Sequence, residues 1–244
     1  MLKKILPHII SALALFVFII IGLASTSTTP SVNNSTSTKS SDNKSFFDFF
    51  EPARNPEKEG YTVIRLKNNE EPQIRSSYDL ENDYFEMLSD YYLCIGSTTY
   101  NGISKNNTQD NIKTQCKRIG ATMALYSVDY TYTTSLGYRR YDYSVYYFVR
   151  FTDEVGFGLS LIDLGVKERQ DNKRNTGALV HIVYKRSPAF YANIFRGDII
   201  IKINDTELLD SLSGSLKLYL LTKGDTVNIE ILRNGKNEII KTKY

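Results

Sequence analysis

The residues of this chain whose types and spacing point most directly to chemistry are Gly156-Phe157-Gly158-Leu159-Ser160-Leu161. Two glycines flank a large apolar residue. The backbone there turns tightly, with successive N–H groups exposed on one side and no Cβ in the way. An apolar/polar alternation comes directly after, which is a strand pattern, and such a strand would present an open hydrogen-bonding edge. Amides converging beside a free edge suit the carboxylate end of an extended peptide. That chemistry is recognition and breaks no bond.

Bond-breaking chemistry finds less support. A nucleophilic enzyme needs a nucleophile, a base and an orienting acid held together. The only histidines are His8, in an apolar amino-terminal run, and His181, inside the apolar stretch Val180–Ile182. There is no Gly-x-Ser-x-Gly elbow. The nearest Ser/Gly cluster, Ser213-Gly214-Ser215, falls inside an expected helix. Walker loops, dinucleotide fingerprints and paired-histidine metal motifs are missing from the sequence as well. The expectation is a protein with no catalytic residues, no cofactor and no metal. A hydrolase with an unrecognised carboxylate site in residues 61–151 stands as the enzymatic alternative. Cys94 and Cys116 have neither a histidine nor a third cysteine beside them, so they read as a disulfide or as two core thiols.

The elements that would position these residues come after an amino-terminal segment of different character. Lys3 and Lys4 precede an apolar run, Ile5–Leu23, that ends in Gly22-Leu23-Ala24. Its length approaches the ~20 residues of a bilayer-spanning helix. Residues 1–24 are therefore a cleaved signal peptide or a retained membrane anchor, and both readings export the rest of the chain. Residues 25–45, nearly all Ser, Thr and Asn with a few charges, read as a disordered tether. The expected location is periplasmic or in the cell envelope, with the membrane contacted through residues 5–23. A dispersed net charge of +3 gives no case for nucleic acid.

Residues 46–151 read as a small α/β domain. Phe46, Phe47, Phe49 and Phe50 form its first docking piece, or else an interfacial segment. Tyr61–Leu66 alternates as a strand does. Asp79–Asp90 and Thr108–Ile119 have helical spacing, the second ended by Gly120. Tyr91–Ile95 is a compact apolar strand ending at Gly96, with a turn at Asn101-Gly102. Residues 121–134 and 140–151 form a hairpin around Ser135-Leu136-Gly137. Its tyrosines (Tyr126, Tyr130, Tyr132, Tyr141, Tyr143, Tyr146, Tyr147) read as cross-strand pairs before they read as a sugar platform.

Residues 152–244 are the most regular part. Val166–Asn175 is a charged loop. Gly177–Val183 is a buried-type strand. Ser187-Pro188 opens a short helix that can end at Asn193. Arg196-Gly197-Asp198 turns into the strand Ile199–Asn204. Leu208–Leu221 is helical, and a last hairpin folds around Asn234-Gly235. In this order, Gly-Phe-Gly-Leu-Ser-Leu, Ser-Pro-Ala, Arg-Gly-Asp-Ile-Ile-Ile-Lys-Ile-Asn, a helix and Lys-Gly-Asp-Thr-Val resemble a PDZ domain of the kind found in exported bacterial proteins.

The resemblance implies an α+β protein whose carboxyl-terminal part is a PDZ-like, partly open β-barrel with two helices. It also implies a groove for a peptide or a protein's carboxyl terminus. Phe157, Gly158 and Leu159, entered through Gly156, would match the carboxylate loop and offer their main-chain N–H groups, with Leu159, Ser160 and Leu161 as the pairing strand. Leu212 and Leu216 would line the side-chain pocket on the opposite helix. A groove filled by the chain's own residues, in a structural or assembly protein, is the alternative. Residues 61–151 resemble, more weakly, the domain that precedes such modules in uncharacterised envelope proteins, and that resemblance supplies no activity.

Overall fold

The computed structural model describes residues 45–103 and 108–244. The expected export segment and most of the expected tether lie outside them. Among the described residues, no helix is long and apolar enough to cross a membrane. Contacts divide them into two units. One comprises residues 45–87, 92–103 and 108–152; the other comprises residues 153–244 with the short stretch 88–91.

The first unit is built on a six-stranded sheet. Its strands are β1 (Phe50–Pro52), β2 (Val63–Ile64), β3 (Gln73–Ser76), β4 (Tyr92–Gly102), β5 (Met123–Thr133) and β6 (Arg139–Phe151). The order is β1-β4-β6-β5-β3, with β2 also on β6. Among the described residues β3 and β5 are parallel, whereas the other pairings of this sheet are antiparallel. Helix α1 (Leu80–Ser89) places Tyr84 on Tyr146 and Phe148, ring centroids 5.0 and 5.5 Å apart. Helix α2 (Thr108–Ile119) buries Ile112 and Cys116, and its Gln109 donates to the Tyr126 hydroxyl at 3.0 Å. The four amino-terminal phenylalanines dock on this unit. Phe46 is buried against Tyr100, and Phe50 stands edge-on to Tyr147.

Two expectations change here. The strand expected over Tyr61–Leu66 shrinks to Val63–Ile64, the two residues in ladder register with β6, while Leu66 turns off to bond Gly120 instead. Gly96 does not end β4. The strand continues to Gly102 through a register shift between Cys94 and Gly96. The absent side chain at Gly96 makes room for the Phe50 ring, which would lie 2.4 Å from a Cβ there. Cys94 and Cys116 are two free, buried thiols.

The second unit is an antiparallel sheet in the order β12-β11-β9-β8-β7, with β10 (Thr206–Glu207) on β9. The strands are β7 (Leu159–Asp163), β8 (Ala178–Val183), β9 (Ile199–Ile203), β11 (Thr226–Arg233) and β12 (Lys236–Lys243). The sheet does not close into a barrel, and β7 and β12 stand at its two ends. Three helices join these strands. Val166–Asn172, expected as loop, is helix α3, stopped by Lys173 in the left-handed conformation at φ 49°. Helix α4 (Pro188–Tyr191) has Ser187 as its cap, the hydroxyl accepting from the Phe190 N–H at 3.2 Å. Helix α5 (Ser211–Tyr219) starts from a capping box made by Asp210 and Ser213. Phe157, Leu161, Val180, Ile200, Leu218 and Ile229 are among the core residues.

Candidate functional site

The loop before β7 is held from several sides. Phe157 is buried, and its carbonyl accepts from the Ala189 N–H of α4 at 3.0 Å. The Gly158 carbonyl accepts from the Tyr184 N–H at 3.0 Å. Gly158 has φ 93°, and a Cβ on it would stand 2.0 Å from the Ser187 Cβ and Oγ. Only glycine fits that conformation and that approach together. Gly156 is also left-handed, at φ 59°, with the Tyr244 hydroxyl 3.6 Å from where its Cβ would be. The Tyr244 ring packs on Phe157, centroids 6.0 Å apart.

This fastening sets the direction of the next residue. In an antiparallel ladder, positions that exchange hydrogen bonds alternate with positions that do not. Gly158 is bonded to Tyr184, so Leu159, opposite Val183, is a non-bonded position. Its N–H and C=O therefore point away from β8, toward the open side of β7. Leu161, two residues on, repeats that orientation. Ser160 pairs with Ile182 and Leu161 with Val180, so His181 is the extra residue of a bulge in β8.

Helix α5 lies along the same strand. Gly214 is buried, and a Cβ there would come within 2.8 Å of Leu161 Cδ1 and 3.0 Å of Leu208 Cδ1. The Ser211 N–H donates to Asp163 Oδ1 at 2.8 Å, joining the start of α5 to the end of β7. That bond holds the Asp163 carboxyl below its ordinary range, the Ser211 backbone N–H being the main cause. Gly214 and Leu218 form the buried face, flanked by half-buried Ser211 and Ser215. Leu212 and Leu216 lie on the outer side, 54% and 51% exposed, with Tyr219 continuing the stripe. At about 100° per residue, both leucines point roughly opposite to Gly214. The expected site residues 156–161 thus lie together on one loop and strand. Leu212 and Leu216 sit on the same helix but on its solvent side.

The half-buried side chains of Ser211 and Ser215 do not read from the sequence as part of the wall beside β7. Their signal is the i, i+4 spacing on the flank of Gly214 and Leu218.

The residues weighed for catalysis are differently placed. The Ser213 hydroxyl accepts from the Leu209 and Asp210 N–H groups, each at 3.1 Å, and donates to the Asp210 carbonyl at 2.8 Å. It is part of a helix cap. His181 is half-buried in β8, and burial, with a smaller push from Arg196, lowers its pKa to about 4. Burial pushes the Cys94 thiol up to about 11 and the Cys116 thiol up to about 12. Among the described residues, no group of three or more His, Cys, Asp or Glu side chains could hold a metal ion. An open depression on the β5–β6 hairpin is lined by Tyr130, Thr133, Arg139 and Tyr141.

Residues 159–244 match the family model of the PDZ domain. Comparison with curated proteins finds no match. Among solved structures, the chain is similar to the HtrA3 PDZ domain bound to a phage-derived ligand, FGRWV. Identity is 21% over 36% of this chain and 81% of that one, with a TM-score of 0.31. It is also similar to the HtrA-type protease AlgW with decapeptide, at 19% identity, 48% and 40% coverage and a TM-score of 0.33. For AlgW with tripeptide the values are 21%, 40%, 38% and 0.34. This chain spans about two fifths of the length of those AlgW chains.

Proposed function

With residues 159–244 a PDZ domain, we propose that this chain is a non-catalytic protein of the cell envelope. It captures peptide segments or protein termini by adding them as a strand between β7 and α5. The observation that carries this reading is the outward orientation of the Leu159 backbone on an edge strand that, among the described residues, pairs with β8 alone. An added strand would bond to Leu159 and Leu161, and its alternate side chains would drop between β7 and α5. Leu159, partly buried, packs beside the core residues Phe157, Leu161 and Leu218 and makes that place apolar, so apolar ligand side chains are favoured. Tethering through residues 5–23 would keep the groove near the membrane that the chain crossed.

The test is to pan a random peptide display library against the full chain. The expected outcome is a set of extended, apolar-anchored sequences that compete with one another. Selected peptides that bind equally well after Leu159 and Leu161 are made inaccessible by a cross-link between β7 and α5 would overturn the reading.

A further inference from the structure

The middle amide of the loop that would receive a terminal carboxylate is already engaged within the chain. The Gly158 N–H donates to the Val155 carbonyl at 3.0 Å, completing a turn through Gly156 and Phe157. An N–H donates one good hydrogen bond, so this amide is withdrawn from any ligand. The turn is not free to relax, because the Phe157 and Gly158 carbonyls are bonded to Ala189 and Tyr184 and Tyr244 packs on Phe157. Tyr244 is itself held by two backbone bonds, to Asp225 at 2.9 Å and from Gly224 at 2.7 Å.

The loop segment itself brings no cation to a carboxylate. From Thr152 to Gly165 there is no Lys, Arg or His, while Asp153, Glu154 and Asp163 are acidic. Lys223, which reaches this region, stands 3.4 Å from Glu154 and balances that acid. Acids beside a binding position disfavour an incoming anion. The edge of β7 carries no such conflict. Leu159 and Leu161 offer neutral N–H and C=O groups, which any extended backbone can use.

Resting on the strand-addition reading above, we infer that the groove selects the interior of an extended chain, and that a free carboxyl terminus adds less than about five-fold to its affinity. The partner class is thus a protein with an exposed or unfolded apolar segment.

The experiment takes a peptide selected by display on the full chain and prepares it in three forms. One ends in the free carboxylate, one in the amide, and one continues for several residues past the same end. Titration calorimetry gives the three affinities, and amide exchange reports on Leu159 and Leu161 in each complex. The inference expects affinities within about five-fold of one another, with both amides slowed in all three complexes. A free acid that binds more than five-fold tighter, with β7 slowed, overturns this inference and leaves strand addition standing. No slowing of β7 with any form overturns both.

Discussion

Gly158 and Ser187 approach so closely that a Cβ on Gly158 would stand 2.0 Å from the Cβ and Oγ of Ser187. This approach places the first turn of α4 against the loop that leads into β7. It therefore sets the orientation of the edge on which the proposed function depends. Gly158→Ala should cost about 3 kcal/mol or more, since it combines a left-handed φ with a steric clash. Gly197→Ala is the matched control, because Gly197 has the same φ of 93° with nothing within 4 Å of a Cβ. It should cost only about 1 kcal/mol. Urea denaturation of the two variants checks the difference, and equal losses would contradict the packing account.

Asp198 is the buried acid of the second unit, 3% exposed, and it receives both Arg233 Nε and Nη2 at 2.8 and 2.7 Å. It also accepts the Phe195 N–H at 2.8 Å. Arg233 in turn lies over the Phe195 ring, 4.6 Å from its centroid, and donates to the Asn193 carbonyl. Asp198→Asn should destabilise by about 3 kcal/mol, because it leaves a charged guanidinium facing a neutral amide. Glu238→Gln, which touches the same arginine from a more exposed position, should cost under about 1 kcal/mol. Thermal and urea melts of both variants distinguish the two roles.

His181 makes stability depend on acidity. Its folded pKa of about 4 lies below the ordinary 6.5, so the fold favours the neutral imidazole. The unfolded chain therefore takes up a proton first as pH falls. Stability contributed by this group is complete above about 6.5, declines toward pH 4, and falls no further below that. The total is on the order of 1–3 kcal/mol. Urea midpoints measured from pH 7 to pH 4 should fall more steeply in the wild type than in His181→Asn. Parallel slopes would contradict the assignment.

Cys94 and Cys116 should be inert toward a thiol reagent at pH 8, because burial holds their pKa values at about 11 and about 12. An aromatic disulfide reagent should label neither in the folded chain and both in denaturant. Rapid labelling of either in the native protein would contradict their burial.

Much of the second unit could be read from its punctuation. Ser187-Pro188, Asn193, Asn204 and Asn234-Gly235 have strong local meanings, and Asn193, Asn204, Asn234 and Gly235 all take positive φ. The wall of the site was harder to read. Leucines at 212, 216, 218, 220 and 221 allow more than one apolar face over the expected helix, and spacing alone does not choose among them. Gly214 makes the choice, since its missing side chain lets the helix settle onto Leu161 and Leu208. A glycine inside a helix reads in sequence as a weakness, when here it is the contact. Gly96 misled in the same way, as a strand terminator, because the ring that fills its space comes from Phe50, far off in sequence. The closed turn from Val155 to Gly158 was illegible for another reason. A Gly-x-Gly loop looks the same in sequence whether its amides face a ligand or the chain's own carbonyl.

Strand addition at β7 would bury the outward Leu159 and Leu161 amides, and amide hydrogen exchange reads that burial residue by residue. Exchange at Leu159 and Leu161 is measured in the full chain with and without a saturating display-selected peptide. With a strand added, both amides should slow by at least about ten-fold, equivalent to about 1.4 kcal/mol of added protection at each. Unchanged exchange at both positions in the saturated complex would contradict strand addition.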